Sequence, residues 1–248
     1  MIDFHSHILP NIDDGSTSIE ESIKLIKEAA KVGFTGIVST SHYLQNYYEC
    51  DEEKRKGLLA ELVSVTSTDL MHENETSAIV ENTKMPNLYL GSEIYITTEI
   101  IELLKERKAS TINGTNYVLF ELPMNSKPLF VKEVVYKLIE NGYKPIIAHP
   151  ERYSYVKEDI GFVRELKDMG ALFQSNYGSV IGMYGSSAKK TLKKLLKEDL
   201  ISFLGSDVHA VGQIYPQIPK ILKKLEKWTS PEKLERLTTL NAKEILEA

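Results

Sequence analysis

The chain has 248 residues, 42% of them hydrophobic and 26% charged, and a formal net charge of -5. This is the composition of an ordinary globular protein, and it excludes a global basic field of the kind that draws in nucleic acid or acidic lipid. A phosphorylated ligand would have to be met by local positive charge, which bound divalent cations can supply. The single cysteine, Cys50, excludes an intramolecular disulfide and a thiolate zinc cage. With no basic and apolar leader ahead of the first strand-like run, and no apolar run near the ~18 residues of a membrane span, a cytoplasmic protein is expected.

Short apolar runs rich in β-branched and aromatic residues predict seven strands, at 1–4, 36–40, 87–90, 117–122, 145–148, 171–174 and 201–204. Their nearly continuous apolar character suits strands covered on both faces, as in parallel sheets. After the first strand, Ser18 with Glu21 forms an S-x-x-E capping box, Ile19, Ile23, Ile26 and Ala30 follow at helical spacing, and Gly33 closes the helix. Residues 67–86 are polar and weakly periodic and read as a long connection, with His72 a solvated loop residue. Helical patterns follow at 131–140 before Gly142, at 161–169 before Gly170, and at 188–197. In the last of these, Lys189, Lys190, Lys193, Lys194 and Lys197 alternate with Leu192, Leu195 and Leu196. That is the pattern of an amphipathic helix with a solvated face, and in second place of a docking patch for an acidic partner. The tail is helical, with Ser230 as N-cap, Pro231 at the first helical position and Asn241 capping a final turn. Without an internal repeat or low-complexity linker, one domain over residues 1–248 is expected.

Ligand-type residues gather at the predicted strand ends: His5 and His7, Asp14 in the first loop, His42, Glu93, Glu121, His149, Asp207 and His209. In a parallel barrel those ends converge on one mouth. His5 and His7 alternate along an extended chain and so point the same way, able to share one ion. An acid at the end of an apolar strand is costly to bury unless paired or metal-bound, and few cationic residues stand nearby in sequence. Imidazole and carboxylate without thiolate suit manganese, iron or zinc. Arg152 follows His149 closely and is placed to clamp a phosphate oxygen, its plainer alternative being a surface pair with Glu151 or Asp159. Cys50 lacks the glycine-rich turn and following arginine of a thiol phosphatase and reads as a bystander.

The segments Met1-Ile2-Asp3-Phe4-His5-Ser6-His7, Asp13-Asp14-Gly15, Thr40-Ser41-His42, Gly91-Ser92-Glu93, Phe120-Glu121, Ala148-His149-Pro150-Glu151-Arg152 and Ser206-Asp207-Val208-His209 together resemble the polymerase-and-histidinol-phosphatase (PHP) superfamily of metal-dependent phosphoesterases. Within it the chain is most similar to the manganese-dependent protein-tyrosine phosphatases of bacterial capsule and exopolysaccharide loci. The resemblance implies an α/β fold, a distorted (βα)7 TIM-like barrel with three divalent ions at its mouth, manganese first and iron, zinc or magnesium as alternatives. It implies that His5, His7, Glu93 and Asp207 hold one ion. Glu93 would bridge to a second held also by Glu121 and His149, and Asp14, His42 and His209 would hold the third. Two departures accompany the match: 210–216 lacks an arginine found there in some relatives, and Tyr43 stands where others carry a basic residue.

The expected reaction is hydrolysis of phosphotyrosine in protein by a metal-activated water, with Arg152, Asp207 and His209 as the residues acting in catalysis and His209 a candidate proton donor. The partner implied by the resemblance is a bacterial tyrosine autokinase that governs polysaccharide export, with Tyr47 and Tyr48 at the rim where its tail would lie. No nucleic-acid partner and no membrane insertion are expected. The alternatives are a small-molecule phosphatase of the same superfamily, of the histidinol-phosphate type, and a non-catalytic module that docks on a kinase.

Overall fold

The computed structural model describes residues 1–76 and 84–247, and the side chains of all of these except 68–76. Strands and helices alternate. The order begins β1 (Ile2–Ser6), α1 (Ile19–Lys31), β2 (Gly36–Ser39), β3 (His42–Tyr43), α2 (Glu52–Thr76), β4 (Asn87–Leu90), β5 (Glu93–Tyr95), α3 (Ile100–Lys105), β6 (Tyr117–Glu121), α4 (Val131–Glu140) and β7 (Lys144–Ala148). It continues with α5 (Ser154–Glu158), α6 (Gly161–Asp168), β8 (Leu172–Asn176), α7 (Tyr177–Ile181), α8 (Gly185–Lys197), β9 (Phe203–Gly205), α9 (Ile218–Leu225), α10 (Pro231–Glu235) and α11 (Asn241–Leu246).

Every strand pairing is parallel, in one sheet of order β1-β2-β4 and another of order β3-β5-β6-β7-β8-β9. The two sheets join at both ends. Glu93 N donates to Thr40 O at 2.9 Å where β2 and β4 give way to β3 and β5, and Asp207 N donates to His5 O at 2.8 Å where the chain leaves β9. His7 N donates to Val208 O at 3.0 Å, so the first strand lies beside the end of the last one. The outcome is a curved parallel α/β fold whose strands all end toward one side.

Successive strand residues face opposite ways. Ile37, Val118, Phe120, Ile147, Phe173 and Leu204 join the larger apolar cluster shared with the helices. Ile2, Phe4, Val38, Leu119, Ile146, Ala148 and Phe203 form a second cluster with Ile112 and the α11 residues Ala242, Ile245 and Leu246. Phe4 and Phe203 stack at its centre, with ring centroids 4.1 Å apart. Two buried layers on a single sheet surface explain why the strand runs are apolar without alternation.

Helix starts follow their caps. Ser18 Oγ accepts from Glu21 N, and Glu21 reaches back one residue further than a simple box, accepting from Thr17 N at 2.8 Å. Ser230 caps α10 by accepting from Lys233 N. Asn241 does not act as a cap: it lies inside α11, and its Nδ2 donates to Ser202 O at 2.8 Å, tying the tail to the chain entering β9. The expected connection at 67–86 is also corrected, because α2 continues to Thr76. Thr66 and Ser67 turn their hydroxyls back onto Leu62 O and Val63 O, so polar side chains are accommodated within the helix. His72 therefore lies in helical backbone, not a loop, its side chain outside the described residues, as are residues 77–83. No helix among the described residues is long and apolar enough to cross a membrane.

Candidate metal centre

The strand ends and, for Asp14, the first loop bring the nine expected donor residues to one cluster. His5 lies in β1 and His7 just after it; His42 opens β3, Glu93 opens β5 and Glu121 ends β6; His149 follows β7, and Asp207 and His209 follow β9. His149 and Asp207 have left-handed backbone, with φ of 34° and 54°. Non-glycine residues adopt that region at a cost of order 1–3 kcal/mol, usually where a site fixes them.

Three overlapping groups of donor atoms come close enough to hold a cation: His5, His7, Glu93 and Asp207; His42, Glu93 and Glu121; and His7, Asp14, His42 and His209. In the first, His5 Nε2 lies 3.1 Å from His7 Nε2 and 3.1 Å from Glu93 Oε2, and His7 Nε2 is 3.4 Å from Asp207 Oδ1. His149 Nε2 approaches Glu93 Oε1 at 2.8 Å and Glu121 Oε2 at 3.8 Å. His42 faces two ways, with Nδ1 3.3 Å from Glu93 and Nε2 3.6 Å from Asp14. His209 Nε2 is 3.5 Å from Asp14 Oδ1.

The other ring nitrogens explain this convergence. His5 Nδ1 donates to Gln174 Oε1 at 2.8 Å, His7 Nδ1 to Asp13 Oδ2 at 2.8 Å, and His209 Nδ1 to Asp207 O at 2.9 Å. Each bond fixes the tautomer that leaves the Nε2 lone pair facing the cluster, as in histidines that ligate metal. Asp13 also accepts from the backbone N–H groups of His42 and Gly15, at 2.8 and 3.0 Å, and so ties the first loop to β3.

The charges need a cation. Burial opposes ionisation of Glu93 and Asp207, but the surrounding imidazoles, joined by Arg152 at Asp207, outweigh it and hold both acids well below the usual carboxylate range. Burial likewise disfavours charged His5 and His7, yet the adjoining acids raise both imidazoles, His7 strongly. At Glu121 burial, reinforced by Glu93 and Asp207, prevails and pushes the carboxyl up to about 9. Raised imidazoles at His5 and His7 and a raised carboxyl at Glu121, beside His42 and His149 that burial lowers, are what a buried cluster short of positive charge produces. A divalent cation supplies that charge to lone pairs already aimed, so the donor set fits oxygen- and nitrogen-ligated metal.

Arg152 closes the cluster's outer side. It pairs with neither Glu151 nor Asp159; its Nη1 donates to Asp207 Oδ2 at 2.6 Å, and its guanidinium lies 4.4 Å from the Tyr184 ring centroid. Together with Met183, Asp207, His209 and Gln213 these two line an open pocket of about 380 Å³. Tyr48 stacks on His42 at 6.0 Å between centroids, whereas Tyr47 points outward and is 79% exposed. Cys50 is buried, and burial pushes its thiol up, away from the thiolate form.

Several contributors are not evident from residue type alone. Glu151 is buried and accepts from Ser175 Oγ, Asn176 N and Ser179 Oγ at 2.7–2.9 Å, while Asn176 Nδ2 donates to Asp207 Oδ2 at 2.6 Å. Asp3 accepts from Ser206 N at 2.7 Å and Tyr215 Oη at 2.8 Å, holding the turn that presents Asp207. The visible signal for Asp13 was its place in Asp13-Asp14-Gly15; Gln174 ends the strand expected at 171–174 and Asn176 lies two residues beyond it, neither with any other mark.

A family model described as "Capsular polysaccharide synthesis, CpsB/CapC" matches residues 1–247. The chain is 36% identical to CapC of Staphylococcus aureus over 211 residues, covering 85% of this chain and 78% of that one. It is 30% identical over 246 residues to the tyrosine-protein phosphatase YwqE of Bacillus subtilis, covering 99% and 91%. Among solved structures it is similar, with a TM-score of 0.86 and 30% identity over 100% of this chain and 94% of that one, to one from a study of YwqE and of CpsB from Streptococcus pneumoniae, described as metal-dependent tyrosine phosphatases. The chain belongs to the CpsB/CapC family of capsular polysaccharide synthesis proteins.

Proposed function

We propose that this chain is a metal-dependent tyrosine-protein phosphatase that hydrolyses phosphotyrosine monoesters. The observation that carries the reading is the convergence of eight imidazole and carboxylate side chains in three donor groups, with His149 against Glu93 and Glu121, beneath a pocket walled by Arg152. The names of its relatives support the same reaction. In this reading His5, His7, Glu93 and Asp207 hold one ion, Glu93, Glu121 and His149 a second, and Asp14, His42 and His209 a third, manganese being the expected metal. Bound divalent ions supply Lewis acidity that makes water a nucleophile near neutral pH and offsets charge on phosphoryl oxygens.

The chain's own residues do the rest. Gln174 and Asp13 hold His5 and His7 in the ligating tautomer. Arg152 lines the pocket, and its planar fork could grip two oxygens of a phosphate bound there. His209 is the proton donor expected from sequence, but with Nδ1 donating to Asp207 O and Nε2 facing the donor cluster it has no free proton to give, and a tyrosinate whose conjugate acid has a pKa of about 10 needs little help. Openness of the pocket suits a tyrosine on a polypeptide. The partner in this reading is a tyrosine autokinase of polysaccharide export, met in the cytoplasm. In this reading β2 with β3, and β4 with β5, count as two interrupted strands, so that the fold would be a distorted (βα)7 barrel and one domain over 1–248.

The test strips the protein with chelator, restores manganese, magnesium, iron or zinc separately, and follows phosphotyrosyl peptide, histidinol phosphate and a phosphodiester in parallel. Peptide turnover restored by metal is expected. Background turnover under every metal, or preference for histidinol phosphate, overturns the proposal.

A further inference from the structure

The lysines of α8 do not end at that helix. Lys189 and Lys193 place their ammonium groups 6.0 and 5.5 Å from the ring centroid of Trp228, which follows α9. Across from them α9 contributes Lys220 and Lys224, and burial together with Lys189 and Lys220 lowers the Lys224 ammonium, a sign that like charges are gathered there. Lys190, next in α8, and Lys227, next to Trp228 in the chain, are exposed as well. Among the described residues none of these six ammonium groups has a carboxylate within 4.0 Å. In a chain of net charge -5, such a concentration is not a reflection of composition. Like charges repel, and among the described residues only the Trp228 ring, with no ion pair, faces Lys189 and Lys193 to offset this.

The patch is continuous with the metal-centre pocket. Met183 and Tyr184 line that pocket, and α8 starts at the next residue. At ~1.5 Å of rise per residue, Lys189 and Lys193 lie about 7.5 and about 13.5 Å along the helix from Tyr184. Gly182, in the turn that brings Met183 to the pocket, has Lys189 Cδ 3.9 Å from where a Cβ would stand. An extended peptide advances ~3.4 Å per residue, so a chain with its phosphotyrosine in the pocket reaches these lysines within roughly two to five residues. Trp228 is half-buried and faced by the Lys189 and Lys193 ammonium groups, not presented as an apolar wedge, which favours a peptide over a lipid surface.

We infer that this α8–α9 face binds the acidic flank of the phosphotyrosyl polypeptide, selecting substrates with Asp or Glu about two to five residues from the phosphotyrosine. The inference rests on the phosphatase reading and adds the substrate class. Electrostatic selection of this kind acts through association and weakens as salt shortens the Debye length to ~3 Å at 1 M.

The test compares kcat/KM for a phosphotyrosyl peptide carrying acids at those positions with its Asn/Gln counterpart, using metal-loaded full-length protein. A preference of roughly tenfold for the acidic peptide is expected at low salt, residing in KM and fading at high salt. The triple variant Lys189→Glu/Lys193→Glu/Lys224→Glu should lose or invert it while turning over nitrophenyl phosphate as before, which shows that fold and metal centre are intact. Equal turnover of both peptides by the unaltered protein, or a preference that survives the triple variant, overturns the assignment. So does binding to vesicles of anionic phospholipid that the variant abolishes while both peptides are handled alike, since the face would then serve a membrane. Failure of the underlying reading is distinct: no peptide and no nitrophenyl phosphate would be hydrolysed at all.

Discussion

At the scale of single residues, the site separates groups that face the cluster from groups that aim them. Asp13 belongs to the second kind, because its carboxylate takes the Nδ1 proton of His7 and the backbone N–H of His42 at once. Asp13→Asn keeps the size but weakens the acceptor and permits the wrong His7 tautomer. Metal affinity, measured by titration of stripped protein, should fall by about 10- to 100-fold, the usual cost of losing such a support; an unchanged affinity would remove Asp13 from the site. Arg152 is a different case. Arg152→Lys keeps the charge but not the planar fork, and kcat/KM should drop by about 10²-fold or more, on the scale of a lost donor to developing oxyanion charge, while metal affinity holds. Cys50→Ala should leave turnover intact, since a buried thiol with a raised pKa offers no nucleophile.

Most of these residues could be picked out from sequence because they are chemically distinct and stand at strand ends. His5, His42, Glu93 and His149 interrupt apolar runs, and an interruption by a metal-ligand type is itself the signal. Gln174 and Asn176 gave no such signal, since an amide in a strand has no preferred reading until its neighbour across the sheet is known. Arg152 stood out as a cation just after a candidate ligand, but its contact with Asp207 joins residues 55 positions apart and depends on two loops meeting.

At the scale of elements, local pattern predicted well where one face of a segment is apolar and poorly where it is not. Helix α1 announced itself through Ser18 and its apolar stripe. The latter part of α2 did not: a polar run carries no periodic face, and helical backbone there follows from the turns before it. The same helix brings in Arg55, fully buried, whose guanidinium donates to Lys108 O at 3.2 Å and His42 O at 3.4 Å. Strand packing imposes a harder limit at Gly205 in β9, where an added Cβ would lie 2.5 Å from His5 Cβ and 2.8 Å from His5 N. Those atoms belong to β1 and cannot swing away. Gly205→Ala should therefore push the first and last strands apart, lowering stability in urea by about 1–3 kcal/mol, as overpacking does, and weakening metal binding with it. A variant as stable as the parent would mean that β1 and β9 are not held at this distance.

At the scale of the molecule, the candidate ligands come from elements spread over nearly the whole chain, from His5 to His209, and they meet where β1 adjoins the chain leaving β9. Cations bound there would tie strand ends together all around the mouth and offset the burial, and the repulsion from Glu93 and Asp207, that together raise the Glu121 carboxyl. Binding and folding are then linked: an ion present at about 100 times its dissociation constant stabilises the folded chain by ~2.7 kcal/mol per site. For a chain of this size each kcal/mol raises Tm by ~2–4 °C, so manganese should lift Tm by roughly 5–10 °C over the chelated protein. Glu93 faces two of the three donor groups, and Glu93→Gln should abolish most of that rise, because an amide oxygen neither bridges nor neutralises two cations. Measuring Tm with chelator, with manganese and with manganese after Glu93→Gln separates this from a general salt effect, which the substitution would leave untouched. A manganese-dependent rise of equal size in the variant would show that the ions stabilise the protein from somewhere other than the mouth.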